Sequence, residues 1–153
     1  MFLTACLVPA LTLPLSVSGA GKKKGAFTIS FHVEGDKSEG DKRVAEDVIN
    51  GRTVYFRRMP VVTNKDFRGY WPFPADDGSW GAAFKLSSTG LRRLNTAGLT
   101  ERGRLMRVVV NMRMVDVMLV DRNPEDGIIV LWKGLTEAEL KKLEKALPQI
   151  PAQ

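Results

Sequence analysis

Apolar and polar residues alternate with a period of two along much of this 153-residue chain, and that pattern restricts it to a fold rich in β-strands. In the segment 26–35 (AFTISFHVEG), every second residue from 27 to 33 is apolar, which is typical of a half-buried strand. β-branched and aromatic residues predict further strands at 53–61, 82–86, 104–112, 113–121 and 127–134. So many strands must pair with one another, because an isolated strand leaves its backbone donors and acceptors unsatisfied.

The clearer of two helical segments is 135–148 (LTEAELKKLEKALP). Thr136 is predicted as its N-cap, and Glu139, three residues later, completes a capping box. Leucines at 140, 143 and 147 form one apolar stripe, and Pro148 ends the helix because proline cannot continue it. This stripe predicts a helix that packs on a sheet.

The second helical segment follows the strand at 82–86. Ser87 or Ser88 can cap its first turn, and Leu91 and Leu94 fall on one face. Gly98 is predicted to stop the helix. Both arginines between the leucines lie on the flanks of that face, so we expect them to be solvated.

The order strand, helix, strand, strand, strand, helix predicts an α+β fold. It is close to a ferredoxin-like two-layer sandwich, with an antiparallel or mixed sheet and two main helices on one face. We expect a single domain over 26–148 and a tail over 149–153. Two connections are predicted between strands: an exposed loop at 36–52, and a long one at 63–81 in which Thr63 or Asn64 caps a short helical turn.

The composition and motifs exclude several kinds of site. With one cysteine and one histidine, the chain has no disulfide framework and no thiolate zinc site. His32 lies in an alternating segment, so we interpret it as a strand residue. Phosphate-binding, dinucleotide-binding, nucleophile-elbow and metalloprotease motifs are absent, and the acidic pairs at 76–77 and 125–126 sit in turn-like contexts. We therefore expect no catalytic residue, no cofactor and no metal.

The N-terminal segment 1–20 contains no charged side chain and ends in Ser18-Gly19-Ala20. Small residues at 18 and 20 predict a secretory signal peptide cleaved after Ala20, which would leave a secreted or periplasmic mature chain beginning with a basic linker at 21–25. The three lysines directly after the apolar run oppose export, so an uncleaved anchor and a cytoplasmic chain stay open. The lipobox-like LTAC, ending at Cys6, leaves a lipid anchor as another alternative. No segment of the mature chain is long and apolar enough to span a membrane.

Aromatic residues crowd into the segment 70–80 (YWPFPADDGSW) and form the candidate partner surface: Tyr70, Trp71, Phe73 and Trp80. Such residues beside proline can bind a polypeptide or another ligand. The alternative is a lid that buries these rings against the sheet. A binding role predicts that Trp71 or Phe73 is largely exposed.

The chain carries a formal net charge of +6, which suggests an alternative function as a basic, polyanion-binding module of the envelope. Its arginines are scattered along the sequence and no RNA-binding aromatic motif accompanies them, so we do not expect nucleic acid as a partner.

Four segments resemble the periplasmic head subdomain of SecD, a subunit of the protein-export complex. They are TNKDF (63–67), AAFKLSSTGLRRLNTA (82–97), RGRLMRVVVNMRMVDVMLVD (102–121) and WKGLTEAELKKLEKAL (132–147). The resemblance spans 63–147 and rests on structural motifs. It implies the strand and helix order given above and an association with exported polypeptide or envelope protein.

The chain departs from the SecD pattern in two respects. The family hairpin turns on Asp-Gly or Asn-Gly, whereas this chain has Asn111-Met112, so we expect a longer loop or a different turn type. The transmembrane helices with their proton-coupling charges have no counterpart in the matched segments. We therefore expect a non-enzymatic head-like domain that does not drive export by itself.

Overall fold

The computed structural model describes residues 26–120 and 126–151. The predicted signal peptide, the basic linker and Cys6 lie outside these residues, as do 121–125 and 152–153. The strands of the described residues are β1 (Ile29–Gly35), β2 (Val44–Ile49), β3 (Arg52–Arg57), β4 (Val62–Thr63), β5 (Phe67–Pro74), β6 (Trp80–Leu86), β7 (Leu105–Val110), β8 (Arg113–Leu119) and β9 (Ile128–Leu135). The helices are α1 (Ser88–Thr100) and α2 (Glu137–Ala146), with short 3-10 turns at Lys37–Glu39 and Asn64–Asp66.

The strands form two antiparallel sheets. The larger has the order β2-β3-β1-β7-β8, with the short β4 also paired to β1, and the smaller has the order β5-β6-β9. The larger sheet curls, so that Val48 of β2 and Val117 of β8, at opposite edges, line the same groove. Each antiparallel ladder satisfies the backbone groups of its inner strands.

One hydrophobic core joins both sheets and both helices. Phe31 of β1, Phe84 of β6 and Leu131 of β9 are fully buried in it. Leu94 of α1 and Leu143 of α2 contribute the apolar stripes of the two helices, as the leucine spacing predicted.

The predicted helix caps are confirmed. The Ser87 side chain accepts a hydrogen bond from the Gly90 N–H at 3.1 Å, and Thr136 and Glu139 form the reciprocal capping box. The predicted stop at Gly98 is wrong, since α1 continues to Thr100. Gly98 is buried in the helix, and a helical glycine costs only about 1 kcal/mol relative to alanine, which packing readily outweighs.

The segment predicted as an exposed loop, 36–52, contains the strand β2 instead. It pairs along its whole length with β3 through a two-residue turn at Asn50-Gly51, where both residues have positive φ. Asn-Gly is the preferred sequence for such a turn. The prediction failed because β2 (VAEDVI) has two adjacent charged residues, Glu46 and Asp47, which fall on opposite faces and break the alternation.

The long connection predicted at 63–81 is also partly a strand. Its short helical turn after Thr63 is confirmed, but β5 follows directly and pairs with β6. Tyr70 hydrogen-bonds outward, to Pro148 and Ile150, so alternation places Pro72 and Pro74 on the same outer edge. A proline there removes no bond to β6, which explains why two prolines fit in this strand.

The hairpin between β7 and β8 has a tight turn, although Asn111-Met112 lacks the glycine that usually occupies such a turn. Asn111 and Met112 both have positive φ, at 48° and 68°, so a two-residue turn of type I′ joins the strands. The expectation of a longer loop or another turn type is therefore wrong. Met112 takes the position that glycine usually fills, and its side chain is 95% exposed.

The predicted α+β class is confirmed, with two helices and antiparallel sheets. The ferredoxin-like arrangement is not confirmed, because the strands divide between two sheets and β1 to β3 add to the larger one. The predicted tail also differs in part, since Ile150 donates a backbone hydrogen bond to Tyr70 at 2.8 Å and lies along β5.

Candidate functional site

The sheet β5-β6-β9 carries an aromatic surface on the side that faces away from the core. Trp71 lies opposite Ala83, which in turn lies opposite Val130, so these three side chains share one face. Phe73 lies opposite Gly81 on that face, beside Trp132 of β9. We call this surface the outer aromatic face and define it by Trp71, Phe73 and Trp132.

Gly81 allows Phe73 to lie flat on the sheet. A β-carbon at position 81 would come within 2.3 Å of the Phe73 ring and 2.5 Å of the Trp132 carbonyl oxygen. Only glycine leaves room for the ring there. The ring centroids of Phe73 and Trp132 lie 6.1 Å apart at 62°, which is a favourable edge-to-face contact.

Exposure differs among the three residues. Trp132 is 64% exposed, whereas Trp71 and Phe73 are half-buried. Neither predicted extreme is met, because Trp71 and Phe73 are neither largely exposed nor buried in the core. Trp132 is thus the most exposed ring of the outer aromatic face.

The other two aromatic residues of the candidate surface point the opposite way. Tyr70 is buried in the core, where burial raises the pKa of its phenol, and Trp80 packs against the same core. Alternation separates them from Trp71 and Phe73, since neighbouring residues of a strand face opposite sides. The structure thus brings Trp71 and Phe73 together and places Tyr70 and Trp80 beneath the sheet.

Sequence reasoning missed Trp132, which lies 52 residues beyond Trp80 and joins the face only through the pairing of β6 with β9. A signal was present in the run IIVLW (128–132), which is apolar in both phases of the period-two pattern. Such a run indicates a strand with apolar side chains on both faces. The identity of its partner strand is not contained in that run.

His32 is a strand residue, as predicted, and is buried in β1. Its Nδ1 lies 2.8 Å from the Arg57 carbonyl oxygen, which can only accept, so Nδ1 carries the proton. Nε2 then accepts from the Ser30 hydroxyl at 2.8 Å. Burial, with a contribution from the positive charge of Arg107, lowers the pKa of His32. This histidine is a satisfied neutral group within the fold.

Many of the arginines are held in ion pairs with nearby carboxylates. Arg57 contacts Glu39 and Glu101, and Arg107 contacts Asp47 while lying over the Phe56 ring. The other paired arginines are Arg93, Arg104 and Arg113. These five arginines are each held beside a carboxylate, while the net charge of +6 is unchanged by the pairing.

The described residues contain neither a metal-binding cluster nor a membrane-spanning helix. No group of three or more histidine, cysteine, aspartate or glutamate side chains in 26–120 and 126–151 is placed to hold a metal ion. Within the same residues, neither helix has the length and apolar character needed to cross a membrane.

Comparison with solved structures finds the same fold in SecDF. One match is a structure of SecDF described as a membrane component that enhances protein export, with a TM-score of 0.54 and 13% identity over 84% of this chain and 70% of that one. Another is SecDF in its super-membrane-facing form, with a TM-score of 0.53 and 13% identity over 79% of this chain and 19% of that one.

These likenesses confirm the predicted resemblance to SecD at the level of the fold. No protein-family model matches the sequence, and no curated protein matches it.

Proposed function

We propose that this chain is a secreted or periplasmic, non-enzymatic domain that binds an extended polypeptide, or another component of the cell envelope, through the outer aromatic face. The observation that carries the proposal is the exposed Trp132 ring beside Phe73 and Trp71. Aromatic anchors supply most of the energy in many interfaces. The shared fold with SecDF, a component that enhances protein export, supports polypeptide as the ligand.

The proposal includes the location of the chain. A signal peptide cleaved after Ala20 would release a mature protein that begins at Gly21. N-terminal sequencing of protein from a cell-envelope fraction tests this, and full-length protein recovered from the cytoplasm would contradict it.

Binding is tested with a permanently unfolded protein, reduced and carboxymethylated lactalbumin, titrated into the fluorescently labelled chain. Trp71→Ala and Phe73→Ala are each expected to weaken binding by about tenfold or more, because loss of a central anchor costs about 2 kcal/mol or more. Met59→Ala is the matched control, since Met59 is an exposed apolar residue in the loop between β3 and β4, away from this sheet. Equal affinity for all three variants and the unchanged chain would refute the proposed site.

Polyanion binding is the second hypothesis, and it predicts a different dependence on salt. Binding that releases counterions weakens steeply as ionic strength rises, whereas binding to an aromatic face changes little. Titration of heparin and of the unfolded protein at 50 and 300 mM salt separates the two. The ion pairs of Arg57, Arg93 and Arg107 favour the aromatic face.

A further inference from the structure

The strands β8 and β9 follow each other in the chain but do not pair. β8 is bonded only to β7, and β9 only to β6. Throughout the described part of the chain, no backbone hydrogen bond joins the two strands. The two sheets therefore meet at a pair of open strand edges.

Among the described residues, the contacts that hold the two strands together lie at the end formed by Arg113, Val115 and Gly134. Arg113 of β8 donates through Nη2 to the Gly134 carbonyl oxygen at 2.9 Å and to Glu139 of α2 at 2.8 Å. Gly134 packs so closely on Val115 that a β-carbon there would lie 2.8 Å from the Val115 carbonyl oxygen. Toward Leu119 and Ile128, the strands border a cavity of about 350 Å³.

The hydrogen-bond alternation identifies the backbone groups that face this cavity. Val120 exchanges backbone bonds with Gly103 and Arg104, so Leu119 and Val117 direct their N–H and C=O groups away from β7. Leu86 donates to the Gly127 carbonyl, so Ile128 and Val130 direct theirs away from β6. Leu119, Ile128 and Val130 all line the cavity, so the outward groups of these three residues border the same gap.

Side chains of this protein accept hydrogen bonds from only some of the outward-facing backbone N–H groups of β8 and β9. The Asp116 carboxylate accepts the Val117 N–H at 2.9 Å, and Asp126 accepts the Ile128 N–H at 3.0 Å. The N–H and C=O groups of Leu119 and Val130 have no partner among the residues that the structure describes. Each strand thus offers one complete, unsatisfied backbone site.

The cavity is lined by apolar side chains and by polar backbone groups. All ten lining residues are apolar or glycine, and among them Met118, Leu119 and Trp132 keep part of their surface exposed. Charged side chains are excluded by this lining, because an unpaired charge is costly to bury. Trp132 belongs both to this cavity and to the outer aromatic face, so the two surfaces are continuous.

We propose that the gap between β8 and β9 binds a short, uncharged, extended segment of polypeptide by strand addition, with main-chain hydrogen bonds to Leu119 and Val130. The inference rests on the proposed function and specifies how the ligand is held. Exposed strand edges with unpaired N–H and C=O groups recruit an extended chain, and pockets between the strands select alternate side chains.

The unpaired backbone groups and the size of the gap distinguish this occupant from others. A helix bonds its own backbone N–H and C=O groups within the segment, so it cannot pair with the free groups of Leu119 and Val130 along its length. A second copy of this chain would need about 800 Å² of buried surface per partner to form a stable dimer, which a gap two or three residues long does not offer. A few residues of extended chain, at about 3.3 Å each, match it.

The first experiment uses two synthetic octapeptides of alternating valine and threonine. In one of them every second backbone nitrogen is methylated, so its side chains are unchanged but one bonding edge is lost. The unmodified peptide is expected to bind about tenfold or more tightly than the methylated one, because two or more main-chain hydrogen bonds of about 1 kcal/mol are removed. Equal affinity of the two peptides would overturn strand addition.

The second experiment changes the edge of the protein. Val130→Pro removes the outward N–H of β9 at a position where an edge strand tolerates proline, and Val130→Thr keeps both the N–H and the side-chain shape. The proline variant is expected to lose the advantage of the unmodified peptide, while the threonine variant keeps it. A circular dichroism melt checks that each variant is folded. The comparison of the two peptides on the unchanged chain does not depend on whether the variants fold.

Amide hydrogen exchange separates failure of this inference from failure of the proposed function. With the unmodified peptide bound, the Leu119 and Val130 amides are expected to gain protection. Binding that depends on Trp71 without such protection would overturn strand addition and leave the aromatic face intact. No binding of either unfolded probe would overturn both, and a dimer formed through the gap would overturn the inference alone.

Discussion

The inner and outer faces of the β5-β6-β9 sheet are both aromatic, yet they have opposite relations to solvent. On the inner face Tyr70 and Phe84 are fully buried beneath the rest of the domain. On the outer face Trp132 keeps 64% of its surface accessible beside Phe73. Apolar content alone therefore does not decide which face becomes core. The decision lies with the larger sheet and the helices, which pack on one side only.

The largest effect is expected from truncation on the inner face. Phe84→Ala should lower the free energy of unfolding by about 3–5 kcal/mol, because it leaves a cavity at a fully buried position stacked on Phe67. A urea denaturation curve measures the change. A loss below 1 kcal/mol would mean that this face is not the core.

Gly81 lies in the sheet directly beneath the Phe73 ring of the outer face. Its substitution is expected to have an intermediate effect on the free energy of unfolding. Gly81→Ala should destabilise the chain by about 1–3 kcal/mol, because the added methyl overlaps the Phe73 ring and the Trp132 carbonyl. The same substitution should weaken binding of the unfolded probe by displacing Phe73. Pairing it with Phe73→Ala is the control, since removal of the ring relieves the main side-chain overlap and should recover part of the lost stability.

His32, a buried polar residue in the larger sheet, is expected to make the stability of the chain depend on pH. Because the folded pKa of His32 is lowered, the fold favours the neutral ring. Its contribution is complete above the unfolded pKa of about 6.5 and is lost as the pH falls below that value. The melting temperature should decline between pH 7.5 and 5.5, and His32→Gln should flatten that decline. If the melting temperature of the variant declines as steeply with pH as that of the unchanged chain, the decline is due to groups other than His32.

The smallest effect on stability is expected at the most exposed ring. Trp132→Ala should change the free energy of unfolding by less than about 1 kcal/mol, since surface substitutions away from the core are usually mild. Affinity for the unfolded probe should nevertheless fall as it does for Trp71→Ala. A large loss of stability would show that the outer face is structural, and an unchanged affinity would remove Trp132 from the site.

Local signals in the sequence predicted local structure well. The capping box of Thr136 and Glu139, the Ser87 cap and the alternation in β1 each depend on neighbours within a few residues, and each is confirmed. The strand β2 was missed because its adjacent charged residues Glu46 and Asp47 break the period-two alternation. The strand β5 was missed because proline usually breaks a strand, and the edge position that permits it depends on which strand pairs with which.

The candidate site was predicted in part for the same reason. Trp71 and Phe73 were found from their crowding in one short segment, but Tyr70 and Trp80 were grouped with them although strand alternation turns both toward the core. Trp132 and the gap beside Leu119 arise from the division of the strands between two sheets. That division depends on pairings between strands that are far apart in the sequence, β1 with β7 and β6 with β9. Local sequence patterns do not specify these pairings.

The outward prolines of β5 limit how this sheet can grow. Sheets polymerise head to tail when one molecule's last strand pairs with the first strand of the next, which requires two competent edges. Here Pro72 and Pro74 offer no donors at the β5 edge, and Ile150 already covers Tyr70. The β5 edge of the three-stranded sheet therefore offers no row of free N–H groups on which a strand of another molecule could pair, so this sheet cannot be extended from that side.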